Sequence, residues 1–138
     1  MIVVDSNIIA SLILPTSDNT EKAARALERD RDWSAPSLWR SELCNILATG
    51  IRNAWMRLDQ ALEALALAIE VMDGGEFTVP PVEVVGLAAQ SGCTGYDCEF
   101  VVLARDLGTP LVTLDRAVLK AFPDIAVSLD HFTAGTPD

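Results

Sequence analysis

Histidine is almost absent from this chain: His131 stands alone in 138 residues, so no histidine-rich metal site can be assembled. Cysteine is scarce as well. Cys44, Cys93 and Cys98 are odd in number and form no C-x-x-C pair, so neither a disulfide framework nor a zinc site is suggested. All three are expected to be small buried apolar residues. Uninterrupted apolar runs of membrane-spanning length are missing too, because Glu63 and Glu70 break the Ala/Leu-rich segment around them. The amino terminus lacks the basic stretch of a secretory leader. A cytoplasmic protein with no membrane association is expected. Without a P-loop or a G-x-S-x-G elbow, nucleotide-driven and serine-hydrolase chemistry have no motif to rest on. Basic residues are in the minority, 10 Lys and Arg against 20 Asp and Glu, for a net charge of -10. Such a charge repels nucleic-acid phosphates unless several of the carboxylates hold cations.

What is present is a hydrophobic fraction of 50%, enough for one domain with a substantial core. We expect a single domain over residues 1–133 and a frayed tail over 134–138. Residues 2–4 read as a short buried strand, and Asn7 to Leu14 as a helix closed by Pro15. Asp18-Asn19-Thr20-Glu21 has capping-box spacing and opens a helix to about Asp30. Trp33-Ser34-Ala35 reads as a strand. Helical periodicity then runs from Ser37 to about Asn53 and from Leu58 to Met72, an antiparallel arm ended by Asp73-Gly74-Gly75. Phe77-Thr78-Val79 is strand-like. Pro80-Pro81 starts a helix to about Ala89, and Thr94 another that ends near Gly108. Residues 111–113 and 126–128 complete the strands. Short β-branched strands alternating with helices predict an α/β class, a three-layer α/β/α domain with a mainly parallel central sheet and a helical-hairpin arm.

The acidic residues carry the chemistry. Ligands of open α/β sheets collect beyond the carboxyl ends of the strands, and Asp5 and Asp115 lie there. No Lys or Arg occurs in the first ten residues, so whatever meets Asp5 comes from elsewhere. Each of the two also fits a helix N-cap, and Thr94-x-x-Asp97 fits a capping pattern. Glu42 is different, because it falls within the stripe of Leu38, Trp39, Leu43, Ile46 and Leu47. A core-facing carboxylate without a partner costs several kcal/mol or loses its charge, while a glutamate merely flanking the core would not. Asp97 precedes a helix apolar nearly all round through Phe100, Val101, Val102 and Leu103. Four carboxylates directed at one pocket cannot all stay ionised unaided, and Mg²⁺ or Mn²⁺, which take oxygen ligands, would resolve the conflict.

Four blocks, V-V-D-S-N-I-I, A-P-S-L-W-R-S-E-L-C-N-I-L, Y-D-C-E-F-V-V-L-A and L-V-T-L-D-R-A-V-L-K-A-F-P, each hold one of these acids. In that order the chain resembles PIN-domain ribonucleases, most closely the VapC-like toxins of toxin-antitoxin pairs, from Ile2 to about Phe132. The resemblance implies metal-binding and catalytic roles for Asp5, Glu42, Asp97 and Asp115. It implies supporting roles for Ser6, Asn7 and Thr113, and it leaves open whether Glu99 touches metal and whether Arg116 contacts phosphate. It further implies a Mg²⁺- or Mn²⁺-dependent endoribonuclease acting on RNA, tRNA among the candidates, with 5′-phosphate and 3′-hydroxyl products. A homodimer and a cognate antitoxin protein are implied as partners.

Three other readings compete. A response-regulator receiver needs paired acids after its first strand and a lysine after a late one, and this chain has D-S-N and no lysine near Ala126-Val127-Ser128. A haloacid-dehalogenase-like phosphatase would place an aspartate where Asn7 stands. A PIN fold without catalysis, acting as a binding module, stays open.

Overall fold

A computed structural model describes residues 1–15 and 18–134. Two runs rich in branched apolar residues lie inside the sheet, β1 (Ile2–Val4) and β4 (Leu111–Thr113), and β5 (Ala126–Ser128) forms the edge beside β4. β2 (Trp33–Pro36) and β3 (Glu76–Phe77) extend it on the other side. Every pairing is parallel and the order is β3-β2-β1-β4-β5. All residues of β1 and β4 are buried, although successive side chains point to opposite faces. Both faces of the sheet are therefore covered, which is the condition for a parallel sheet.

Two helical groups supply the cover. The first is built on α1 (Ser6–Ile13), which packs against α2 (Thr20–Arg29), α3 (Leu38–Arg52) and α4 (Leu58–Val71). α8 (Leu129–Ala134) joins that group through α2. In the second, α5 (Pro81–Ser91) packs on α6 (Gly95–Leu107), and α6 lies against β1, β2 and β4. The short α7 (Arg116–Ala121) packs beside β5. Helices α3 and α4 form the expected arm. The buried face of α4 is Ala61, Ala64 and Ala68, small side chains at helical spacing that let α4 pack closely against α1 and α3.

The chain leaves β1 outward to β2 and β3, then returns to β4 on the opposite side of β1. That reversal opens a crevice beyond the carboxyl ends of β1 and β4. Register places Val4 beside Val112, and the Asp5 N–H donates to the Val112 carbonyl at 3.0 Å. Asp5 thus leaves the sheet alongside Thr113.

Several expectations need correction. The first helix begins at Ser6, one residue earlier than expected, with Asp5 as its cap. Asn19, rather than Asp18, holds the N-cap position of α2, while Thr20 Oγ1 donates to the carbonyls of Ser11 and Leu14. β3 is Glu76–Phe77, not residues 77–79. Its place is set by backbone pairing, since the Ala35 N–H donates to Gly75 O at 2.8 Å and the Ser37 N–H to Phe77 O at 3.2 Å. A Cβ at Gly75 would stand 2.1 Å from the Trp33 carbonyl oxygen, so glycine alone permits this approach. Cys98 is buried as expected, but Cys44 is exposed and Cys93 half-buried. Ala134, assigned to the tail, closes α8, and the rest of that expected tail, 135–138, lies outside the described residues. Among the described residues no helix is long and apolar enough to cross a membrane.

Candidate functional site

Asp5, Glu42, Asp97 and Asp115 all line one open cleft of about 270 Å³, together with Ser6, Asn7, Asn45 and Ile46. Four elements bring them there. Asp5 closes β1 and caps α1, Glu42 lies in α3, Asp97 in the first turn of α6, and Asp115 caps α7 after β4. Capping and cleft-lining turn out to be compatible roles for the two strand-end aspartates. Asp5 Oδ1 accepts from the Ser6 N–H at 2.7 Å, and Asp115 Oδ1 accepts from the N–H groups of Ala117 and Val118 at 2.8 and 3.3 Å. For α6 the cap is Thr94, whose hydroxyl oxygen accepts from the Asp97 N–H at 3.0 Å. The Asp97 carboxylate itself is not used in capping.

Two hydroxyls knit the acids together. Ser6, buried, donates its Oγ–H to Glu42 Oε1 at 2.7 Å while its N–H serves Asp5. Thr113, completely buried, donates to Asp5 Oδ2 at 2.8 Å and accepts from the Asp115 N–H at 3.0 Å. Asn7 Oδ1 accepts from the Leu114 N–H at 3.3 Å, tying the start of α1 to the end of β4. Ser6 and Thr113 thus donate to carboxylates, whereas the Asn7 side chain bonds, among the described residues, to backbone alone.

Glu42 is half-buried at the cleft rather than enclosed in the core. Glu99 and Arg116 do not line the cleft. Burial, and after it the charge of Glu42, pushes the Glu99 carboxyl above its ordinary value. Among the described residues no Lys or Arg lines the cleft either. Arg40 pairs with Glu76, Arg57 with Asp59 and Arg105 with Glu83, so these three guanidinium groups are engaged elsewhere. Asp5 carries the consequence. Burial raises its carboxyl to about 6, with the charges of Glu42 and Asp97 adding to the rise, against the lowering effect of the hydrogen bonds from Thr113 and Ser6.

The family follows from comparison. PIN domain is the family that matches, over residues 2–125. This chain belongs to the PIN-domain family. It is 31% identical over 125 residues to Ribonuclease VapC3 of Pyrobaculum aerophilum, covering 88% of this chain and 95% of that one. Among solved structures, PAE2754 from Pyrobaculum aerophilum has a TM-score of 0.74 at 22% identity, covering 96% of this chain and 92% of that one. FitAcB from Neisseria gonorrhoeae has a TM-score of 0.67 at 16% identity, covering 95% and 99%. Both likenesses are of fold.

In this PIN domain the lining residues that sequence reasoning passed over are Asn45 and Ile46. The signal was available, since they stand three and four residues after Glu42 on the same face of α3.

The raised Asp5 carboxyl makes stability pH-dependent in a defined direction. A folded-state value near 6 against 3.8 means that the folded protein holds the proton more tightly. The associated stability is complete below about pH 4 and is lost as pH rises through 6. In EDTA, Asp5→Asn should therefore be more stable than wild type by about 2–3 kcal/mol at pH 8, with the difference vanishing near pH 4. Asparagine keeps an acceptor for the Ser6 N–H, and the Thr113 hydroxyl can turn to accept from its NH₂. Urea unfolding at both pH values checks this, and a difference that does not change with pH would contradict it.

Proposed function

We propose that this PIN domain is a divalent-metal-dependent endoribonuclease, the toxin of a toxin-antitoxin pair, and that it acts on RNA in the cytoplasm. The observation that carries the reading is the cleft: four carboxylates face it, no basic side chain lines it, and one of them is driven toward neutrality. Identity of 31% to a relative named a ribonuclease supports the same reaction class.

The donor set suits Mg²⁺ or Mn²⁺, because it offers carboxylate oxygens and no imidazole or thiolate. Among the described residues, no three acidic, histidine or cysteine side chains close into a ready-made cage. Such a cage is not required, since Mg²⁺ is ordinarily held through one or two carboxylates and keeps water and substrate phosphate as its other ligands. Asp5 and Asp97 would hold the ion, and Glu42 and Asp115 would complete the set or hold a second. When bound, the cation offsets charge on the scissile phosphate and acidifies water.

The remaining work falls to the chain. Thr113 and Ser6 fix the Asp5 carboxylate from two sides, leaving its other lone pairs for the cleft. Ser6 holds Glu42 by one oxygen and leaves Oε2 free. Ala117 and Val118 hold Asp115 through Oδ1, leaving Oδ2 free. With no histidine in the cleft, proton acceptors on the protein are carboxylates.

Partners follow from what stays uncovered. Trp55 is 67% exposed and Leu67 53%, and both line a groove with Ile13, Leu14 and Met56 between α1 and the arm. An apolar groove on a protein of net charge -10 suits a basic amphipathic antitoxin segment. On α5, Val82 is 84% exposed and Val85 69%, a face suited to a second copy of the chain.

A pool of tRNA and structured RNA tests the activity. With Mn²⁺ or Mg²⁺ the wild type should cut, while Asp97→Asn or added EDTA should reduce cleavage by about a hundredfold or more. Folded wild type that cuts nothing with either ion sinks the nuclease reading. Chromatography with light scattering should return a dimer mass at micromolar concentration, and a monomer mass removes the α5 interface.

A further inference from the structure

The cleft poses a problem for any anionic substrate. Among the described residues its lining holds four carboxylates and no lysine or arginine, so the side-chain donors that line it are neutral. Ser6 spends its hydroxyl proton on Glu42 and Thr113 spends its own on Asp5. Two carboxamides remain. Asn7 is pinned through its oxygen by the Leu114 N–H, which leaves its NH₂ unspent but fixed in the strand-end network. Asn45 is exposed on α3 and lines the cleft, and its side chain makes no hydrogen bond to a described residue.

We propose that Asn45 binds the RNA backbone, its carboxamide N–H donating to a non-bridging oxygen of a phosphate flanking the scissile bond. The inference rests on the nuclease reading and adds a substrate contact to it. An amide suits this position for a physical reason. An aspartate or glutamate would repel the phosphate and add a fifth negative charge to the cleft. A lysine or arginine would compete with the cation for the carboxylates by pairing with them. A carboxamide gives two N–H donors with no net charge and can reach the backbone without either penalty. Helical geometry fixes the contact relative to the chemistry, because Asn45 lies three residues after Glu42 and presents the same face. Most protein hydrogen bonds to nucleic acid go to phosphate and sugar, and such contacts set position rather than sequence.

A flanking phosphate bears the same charge in ground and transition states, so losing this contact should raise KM and spare kcat. The test uses a short RNA spanning one cut site mapped in the pool, with wild type, Asn45→Ala and Asn45→Asp. Asn45→Ala should raise KM about ten- to a hundredfold, as expected for a hydrogen bond to a charged group, with kcat, melting temperature and cut positions unchanged. Asn45→Asp should raise KM further. An unchanged KM in Asn45→Ala alongside active wild type overturns the inference and leaves the nuclease reading intact. Altered cut positions at unchanged KM also overturn it, and assign Asn45 to base recognition. An inert wild type is the separate failure of the nuclease reading, and this inference falls with it.

Discussion

Burial of a carboxylate at the end of β1, among other acids, is the constraint around which this structure is arranged. Asp5 bears it. It is held between the sheet and α1, and that burial, with the charges of Glu42 and Asp97 adding to it, raises its carboxyl to about 6. Two hydroxyl donors keep the arrangement from being worse. Thr113 and Ser6 both direct protons at these acids, and both are themselves buried, so their hydrogen bonds work in a medium of low dielectric. A carboxylate buried at this expense of stability is what the proposed cation would offset.

The fold exists in a form that makes this concentration possible. A parallel sheet needs cover on both faces, and two helical groups provide it. Its strand order reverses at β1 and β4, so the one crevice where neighbouring connections diverge lies where Asp5 and Asp115 end their strands. α3 then adds Glu42 from the arm side and α6 adds Asp97 from the opposite group. Backbone hydrogen bonds make the placement rigid: the Asp5 N–H joins the Val112 carbonyl, and Asn7 receives the Leu114 N–H.

The strands and the acids were legible where two signals agreed. Ile2-Val3-Val4 and Leu111-Val112-Thr113 are branched, short and followed by an acid, and both the strand and its terminal carboxylate stand where expected. Glu42 was legible from its periodicity, although it meets a cleft at the margin of a stripe whose Trp39, Leu43 and Leu47 enter the core. Other features gave no such signal. Phe77-Thr78-Val79 has strand propensity, yet pairing to Ala35 and Pro36 selects Glu76 and Phe77; tertiary contact overrides propensity in so short a strand. Cys44 was expected inside because cysteine usually is, but its position on α3 faces outward. α7 and α8 each have only six residues, too few for a periodic pattern to stand out. Asn45 was passed over because a polar residue on an exposed helix face looks like ordinary solvated surface.

Binding of Mn²⁺ to protein stripped with EDTA, followed by calorimetry at pH 5.5 and pH 7.5, tests the central claim most directly. If the carboxylates are held together for a cation, Mn²⁺ binds saturably, and more tightly at pH 7.5, because Asp5 must give up its proton to bind. Glu42→Gln weakens that binding. Absence of saturable binding at either pH, or equal binding by a protein carrying both Asp5→Asn and Asp97→Asn, would contradict the account.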